Sequence, residues 1–113
     1  MALSYNIFIE QGTDFQLTIE IADETGAALD LTNYLVYSQM RRSYDSPDAI
    51  DITVDVTDAV NGELTLFVPH SQTEVMRPGH YVYDVEIVSI DNVISRVLEG
   101  QVVVSPGVTT IGS

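Results

Sequence analysis

The chain has 113 residues and a mass of 12.4 kDa, the size of a single domain with one core. It carries 17 Asp and Glu against 4 Arg and no Lys, so its formal net charge is -13. This charge argues against direct binding to nucleic acid or to an anionic membrane, since both attract clustered Lys and Arg. Because 45% of the residues are hydrophobic, the composition indicates a folded domain rather than an acidic disordered tail.

Apolar and polar residues alternate with a period of two along most of the chain, which predicts antiparallel strands with one buried face. Turn residues separate the alternating segments, and Asn61-Gly62 is the strongest hairpin signal among them. We therefore predict an all-β fold, an immunoglobulin-like antiparallel β-sandwich of seven or eight strands with one short helical turn. The predicted strands are 5–9, 14–21, 35–42, 50–56, 64–68, 81–90 and 93–104.

The one predicted helical turn covers residues 71–76. Ser71 and Glu74 have the spacing of a capping box, so we expect the Ser71 side chain to act as the N-cap. Pro78-Gly79 would end the turn before the next strand. At the level of domains, we predict one sandwich over residues 1–105, followed by a C-terminal tail or docking arm over 106–113.

Few residues in the chain suggest a catalytic or metal-binding role. Cysteine is absent, which excludes disulfides and thiolate sites, and no basic, apolar leader stands at the N-terminus, so we expect synthesis in a cytoplasm. His70 and His80 are the only histidines, and neither has a Ser, a Cys or a second His at a motif spacing. We predict that both are structural or surface residues and that the chain is not an enzyme and has no catalytic residue.

A run of aspartates suggests calcium as an alternative, because carboxylate oxygens are the ligands that calcium prefers. Its spacing does not match the calcium-loop pattern, and alternate positions lie on the predicted outer face of a strand. We therefore predict solvated carboxylates, with no metal and no cofactor. The run comprises Asp45, Asp48, Asp51, Asp55 and Asp58.

Two further groups have both a structural and a functional interpretation. Tyr81 is a candidate tyrosine corner, and with Tyr83 it could alternatively form an aromatic ligand platform. Arg41-Arg42 supplies half of the positive charge, and we predict a salt-bridged strand edge there. In an assembly, the same pair could face an acidic neighbour.

A series of segments resembles, in the same order, the small immunoglobulin-like β-sandwich virion proteins of tailed bacteriophages, a family associated with tail fibres and baseplates. The resemblance covers nearly the whole chain, although Asn33 stands where that family has Gly, and lysine is absent. The segments are 9–15 (IEQGTDF), 29–34 (LDLTNY), 38–41 (SQMR), 61–66 (NGELTL), 78–86 (PGHYVYDVE) and 96–109 (RVLEGQVVVSPGVT).

This resemblance implies a non-enzymatic structural component of a phage particle, in the tail, the baseplate, the neck or the head surface. The implied partners are other virion proteins and further copies of the chain in a symmetric assembly, with no nucleic acid and no membrane. The implied location is the virion. The alternative is a stand-alone carbohydrate- or receptor-binding sandwich, which would expose aromatic side chains in a shallow groove.

Overall fold

The computed structural model describes residues 3–109 and confirms the all-β prediction, with strands over most of this range and one short helix. Each predicted strand is found, with ends that differ by a few residues, and a further strand of two residues precedes the first predicted one. The strands are β1 Leu3–Ser4, β2 Ile7–Glu10, β3 Phe15–Glu20, β4 Leu35–Arg41, β5 Ile50–Asp58, β6 Glu63–Val68, β7 Gly79–Val88 and β8 Ile94–Ser105, and the helix is α1 His70–Thr73.

The strands form two layers that share β5. In the large sheet, β8, β7, β4 and the start of β5 follow one another, with β1 and β2 on the outer side of β8. In the small sheet, the rest of β5 pairs with β6, and β6 pairs with β3. The inner faces of both sheets supply a continuous core that includes Met40, Leu64, Leu66, Val85 and Val102.

Two strand pairings differ from the antiparallel prediction. β1 and β2 pair with β8 in parallel, so the large sheet is mixed. The register sets Ile7 opposite Val102 and Ile9 opposite Val104, and all four side chains are buried. No hairpin joins these distant segments, so their pairing is stabilised by burial of the two isoleucines and not by a turn.

The helix also differs from the prediction. Helix α1 begins at His70, its N-cap is Pro69, and no side chain of the cap residue makes a capping bond. Ser71 lies exposed inside the helix, so the prediction that it caps the helix is wrong. Instead, the carboxylate of Asp14 accepts a bond of 2.6 Å from the His70 backbone N–H. A residue 56 positions away therefore does what the local pattern assigned to Ser71.

Asn33 adopts a φ of 67°, the left-handed conformation that glycine would take at the same place. Residues 106–109 follow β8 without forming a strand, and the Gly107 N–H donates to Gln11 Oε1 at 3.0 Å. The remainder of the predicted docking arm, residues 110–113, lies outside the described residues. Within the described range, no helix has the length and the apolarity needed to cross a membrane.

Thr73 joins the helix to the turn between β2 and β3. Its side chain is 0% exposed, and Oγ1 donates to the Thr13 carbonyl at 2.7 Å and accepts from the Gly12 N–H at 3.1 Å. Thr73→Val keeps the shape and leaves both backbone groups without this partner. We expect the free energy of unfolding to fall by about 1–3 kcal/mol in urea denaturation. Ser71→Ala is the control and should unfold like the wild type; equal losses in the two variants would contradict this account of Thr73.

Candidate interaction surface

The path of β5 leaves part of β4 without a neighbour. Residues 38–40 of β4 pair with β5, but within residues 3–109 the stretch 35–37 has a ladder only on its β7 side. A groove of about 460 Å³ lies at this open edge, and we call it the β4 groove. It is lined by Val36, Tyr37, Ser38, Gln39, Asp51, Ile52, Asp84, Glu86, Val88 and Ile94.

Apolar side chains run across the outer face of the large sheet beside this groove. The register aligns Leu35 of β4 with Val88 of β7, and Val88 with Ile94 of β8. Leu35 is 58% exposed and Ile94 is 63% exposed. Contiguous exposed apolar side chains of this kind mark contact surfaces more often than isolated ones do.

Charged residues border the other end of the groove. The guanidinium of Arg96 lies 3.3 Å from Asp84, 3.9 Å from Glu86 and 3.3 Å from Glu99. These side chains are all partly exposed, so the ion pairs add little to stability. They hold one guanidinium among three carboxylates and give this part of the face a net negative charge.

The β4 groove therefore combines a free strand edge with an apolar wall and a polar end. Free backbone N–H and C=O groups can pair with an extended segment of another chain, while the wall contacts alternate side chains of that segment. The arrangement suits recognition of a protein segment by strand addition.

The structure does not bring the two histidines together at a site. The His70 ring Nδ1 lies 2.9 Å from the Asp14 carboxylate, beside the capping bond, which is a structural role. His80 is exposed on β7, opposite Val103 of β8. Both placements agree with the prediction of structural and surface histidines.

The aspartate run is spread along the strand and its flanking loops. Asp51 accepts a bond from the Gln39 side chain at 2.9 Å, and Asp58 accepts one from the Asn61 side chain at 2.8 Å. Across the part of the chain that the structure describes, no three His, Asp or Glu side chains converge as a metal site would require.

Both candidate tyrosines lie in the core. The Tyr81 hydroxyl donates to the Arg77 carbonyl at 2.8 Å, four residues upstream, which confirms the tyrosine corner. The Tyr83 hydroxyl donates to the Tyr5 carbonyl at 2.7 Å. Burial raises the pKa of the Tyr83 hydroxyl well above its ordinary value, and the electrostatic effect of Tyr5 adds to the increase. Burial of both rings excludes the ligand platform that was the alternative.

The prediction of a salt-bridged edge at the two consecutive arginines is wrong. Arg41 donates to the Ser46 carbonyl at 2.7 Å, and the Arg42 guanidinium stacks 4.9 Å from the centroid of the Tyr81 ring. Within residues 3–109, neither forms an ion pair with a carboxylate. Sequence reasoning also missed that the fold brings Arg77 to the same cleft as this pair.

Comparison with known proteins places the chain in no family, because no family model and no curated protein matches it. Among solved structures, a Listeria monocytogenes internalin-like protein has a TM-score of 0.46 at 19% identity over 94% of this chain. The Lin-41 filamin domain has a TM-score of 0.41 at 16% identity, with coverage of 80% of this chain and 81% of that one. A family 123 glycoside hydrolase from Clostridium perfringens has a TM-score of 0.39 at 11% identity over 93% of this chain. The chain spans 28% of the internalin-like protein and 23% of the hydrolase.

The bonds from His70 to Asp14 predict a pH effect. The backbone bond from His70, followed by the bond from its side chain, lowers the pKa of the Asp14 carboxyl below its ordinary 3.8. A lowered folded pKa adds stability that is complete above the unfolded value and is lost as the pH falls through the folded value. Asp14→Ala should therefore melt at a lower temperature than the wild type at pH 6, and the difference should shrink below about pH 3.8. A difference that stays constant down to pH 2 would refute this role of Asp14.

Proposed function

We propose that the chain is a non-enzymatic structural component of a tailed bacteriophage particle, in the tail, the baseplate, the neck or the head surface, and that it acts through subunit contacts. The observation that carries the proposal is the β4 groove, where a free strand edge at residues 35–37 lies beside exposed apolar side chains. The resemblance of segments along nearly the whole chain to phage sandwich proteins points to the same role.

The physical argument begins with the strand edge. Unpaired backbone groups beside apolar side chains are a liability in a free protein, because they can pair with any exposed strand. In an assembled particle, a neighbouring subunit covers such an edge and buries the apolar row from Leu35 to Ile94. The surrounding carboxylates of Asp84 and Glu86 then disfavour neighbours with negative charge at the contact, which supports specificity.

One observation favours a second candidate, a carbohydrate- or receptor-binding module. Tyr44 is 79% exposed and lines a depression of about 330 Å³ together with Gln39, Arg41 and Glu86. A flat aromatic ring beside hydrogen-bonding side chains suits a ligand that has both apolar and hydroxyl faces. If the chain is such a module, we expect Tyr44→Ala to abolish binding to a glycan array and to leave particle assembly unchanged.

Mass spectrometry of particles purified on a density gradient tests the main proposal. We expect the chain to remain with intact particles after a high-salt wash, in a fixed ratio to the other virion proteins. Its absence from fully assembled particles would refute the virion role. Glycan binding that depends on Tyr44 would then favour the second candidate.

A substitution in the groove tests how the chain is held in the particle. Leu35→Asp places a charge in the apolar row, and we expect its incorporation to fall about tenfold or more, which corresponds to about 1.4 kcal/mol of contact energy. Thr53→Asp makes the same charge change at an exposed position of the small sheet and is the control. Both variants should melt near the wild-type temperature. Normal incorporation of Leu35→Asp would exclude the β4 groove as the contact.

A further inference from the structure

Three of the four arginines line one cleft at the α1 end of the sandwich, and we call it the arginine cleft. Arg41, Arg42 and Arg77 surround it, and its floor includes the apolar side chains of Ile50 and Met76. The cleft has a volume of about 190 Å³. This volume is below the ~300–1,000 Å³ of sites that hold drug-sized ligands, and it is enough for a side chain of another protein.

The positive charge of the arginine cleft is not neutralised within the chain. Asp48 is the one carboxylate among the lining residues, and within residues 3–109 no ion pair joins it, or any other carboxylate, to the three arginines. By contrast, Arg96 alone contacts three carboxylates. The cleft is therefore a positive spot on a chain whose net charge is -13.

The opposite end of the small sheet has the complementary charge. The register sets Glu20 of β3 opposite Glu63 of β6, and Glu63 opposite Asp58 of β5. A register shift between Val56 and Asp58 brings Asp58 into this row. Like charges on directly opposed residues destabilise a sheet, so a counter-charge from outside would favour the row.

The β5–β6 turn, residues 58–63, presents an apolar side chain between these carboxylates. Val60 is 65% exposed at the turn. The backbone behind it is fixed, since the Ala59 carbonyl accepts from Leu31 N at 2.8 Å and the Gly62 carbonyl accepts from Ile21 N at 2.8 Å. A fixed turn loses little conformational entropy on binding.

We propose that the β5–β6 turn of one copy docks in the arginine cleft of a second copy. Val60 then contacts the apolar floor, while the carboxylates of Asp58 and Glu63 face the guanidinium groups at the rim. The two surfaces are complementary in polarity and in charge. Each has an apolar centre bordered by charged groups, and the charges are opposite in sign.

The two surfaces lie at opposite ends of the molecule. β3 and β6 run from the acidic row, at Glu20 and Glu63, to the α1 end, at Phe15 and Val68. A contact between different surfaces of identical copies is heterologous, so it produces a ring if the rotation closes and a filament if it does not. The inference deepens and rests on the proposed assembly function, because it names a second copy as one of the partners.

Disulfide trapping tests the contact, because the wild-type chain has no cysteine of its own. We mix two purified variants, Val60→Cys and Val75→Cys, and oxidise them at physiological salt. One variant carries a tag that changes its electrophoretic mobility. Val75 lies at the arginine cleft, and both positions are exposed. We expect the mixed dimer to form about tenfold faster than in a control mixture of Thr53→Cys with Val75→Cys. Equal rates in the two mixtures would overturn the proposal.

Charge reversal provides the second arm of the test. Arg77→Glu added to the Val75→Cys chain should slow trapping about fivefold, and Glu63→Arg added to the Val60→Cys partner should restore the rate. Arg96→Glu makes the same change in charge outside the cleft and should slow trapping less. The docking mode would be overturned if Arg77→Glu left the trapping rate unchanged, or if Glu63→Arg did not restore it. The presence of the chain in purified particles is measured separately, so the virion role can stand even if this contact fails.

Discussion

Strand β5 belongs to both sheets, and the rest of the structure depends on this sharing. Its residues 50–52 pair with β4 in the large sheet, and the part from Thr53 onward pairs with β6 in the small sheet. The crossing closes the core between the layers, because one continuous strand fixes the position of each sheet relative to the other. It also withdraws a neighbour from residues 35–37 of β4, which creates the open edge of the β4 groove.

The distribution of charge follows from the same crossing. The register shift late in β5 brings Asp58 into line with Glu63 and Glu20 at one end of the small sheet. At the other end, the start of β5 contributes Ile50 to the floor of the arginine cleft. The chain has 17 acidic side chains, yet among the described residues Arg96 alone of the 4 arginines forms ion pairs with carboxylates. Charge separated in this way is available to a neighbouring molecule.

The sequence predicts those features of the fold that depend on local patterns. Alternation located every long strand, Asn61-Gly62 located the turn between β5 and β6, and the position of Tyr81 near the start of its strand indicated the tyrosine corner. These signals are local because a strand face and a tight turn are each encoded by adjacent residues. Burial of one face then selects the sandwich.

The features that the sequence did not reveal depend on contacts between distant residues. Asp14 caps α1 from 56 positions away, so the local pattern at Ser71 was misleading. The parallel pairing of Ile7 with Val102 depends on burial across almost the whole chain. The grouping of Arg77 with Arg41 and Arg42 depends on the position of the segment after α1 beside the end of β4, where Arg42 donates to the Pro78 carbonyl. A period-two pattern contains no information about which strand edge remains open or which charges meet.

The placement of the two charged ends restricts how copies of this chain can associate. A two-fold contact through the arginine clefts would set three guanidinium groups against three, and a two-fold contact through the acidic rows would oppose Glu20, Asp58 and Glu63 with themselves. Both arrangements leave like charges together at the contact, where their repulsion is least screened. A head-to-tail contact pairs opposite charges and leaves the β4 groove uncovered on the outer face of the large sheet. The proposed head-to-tail contact would therefore connect copies along one axis and leave the β4 groove for a different neighbour at the side.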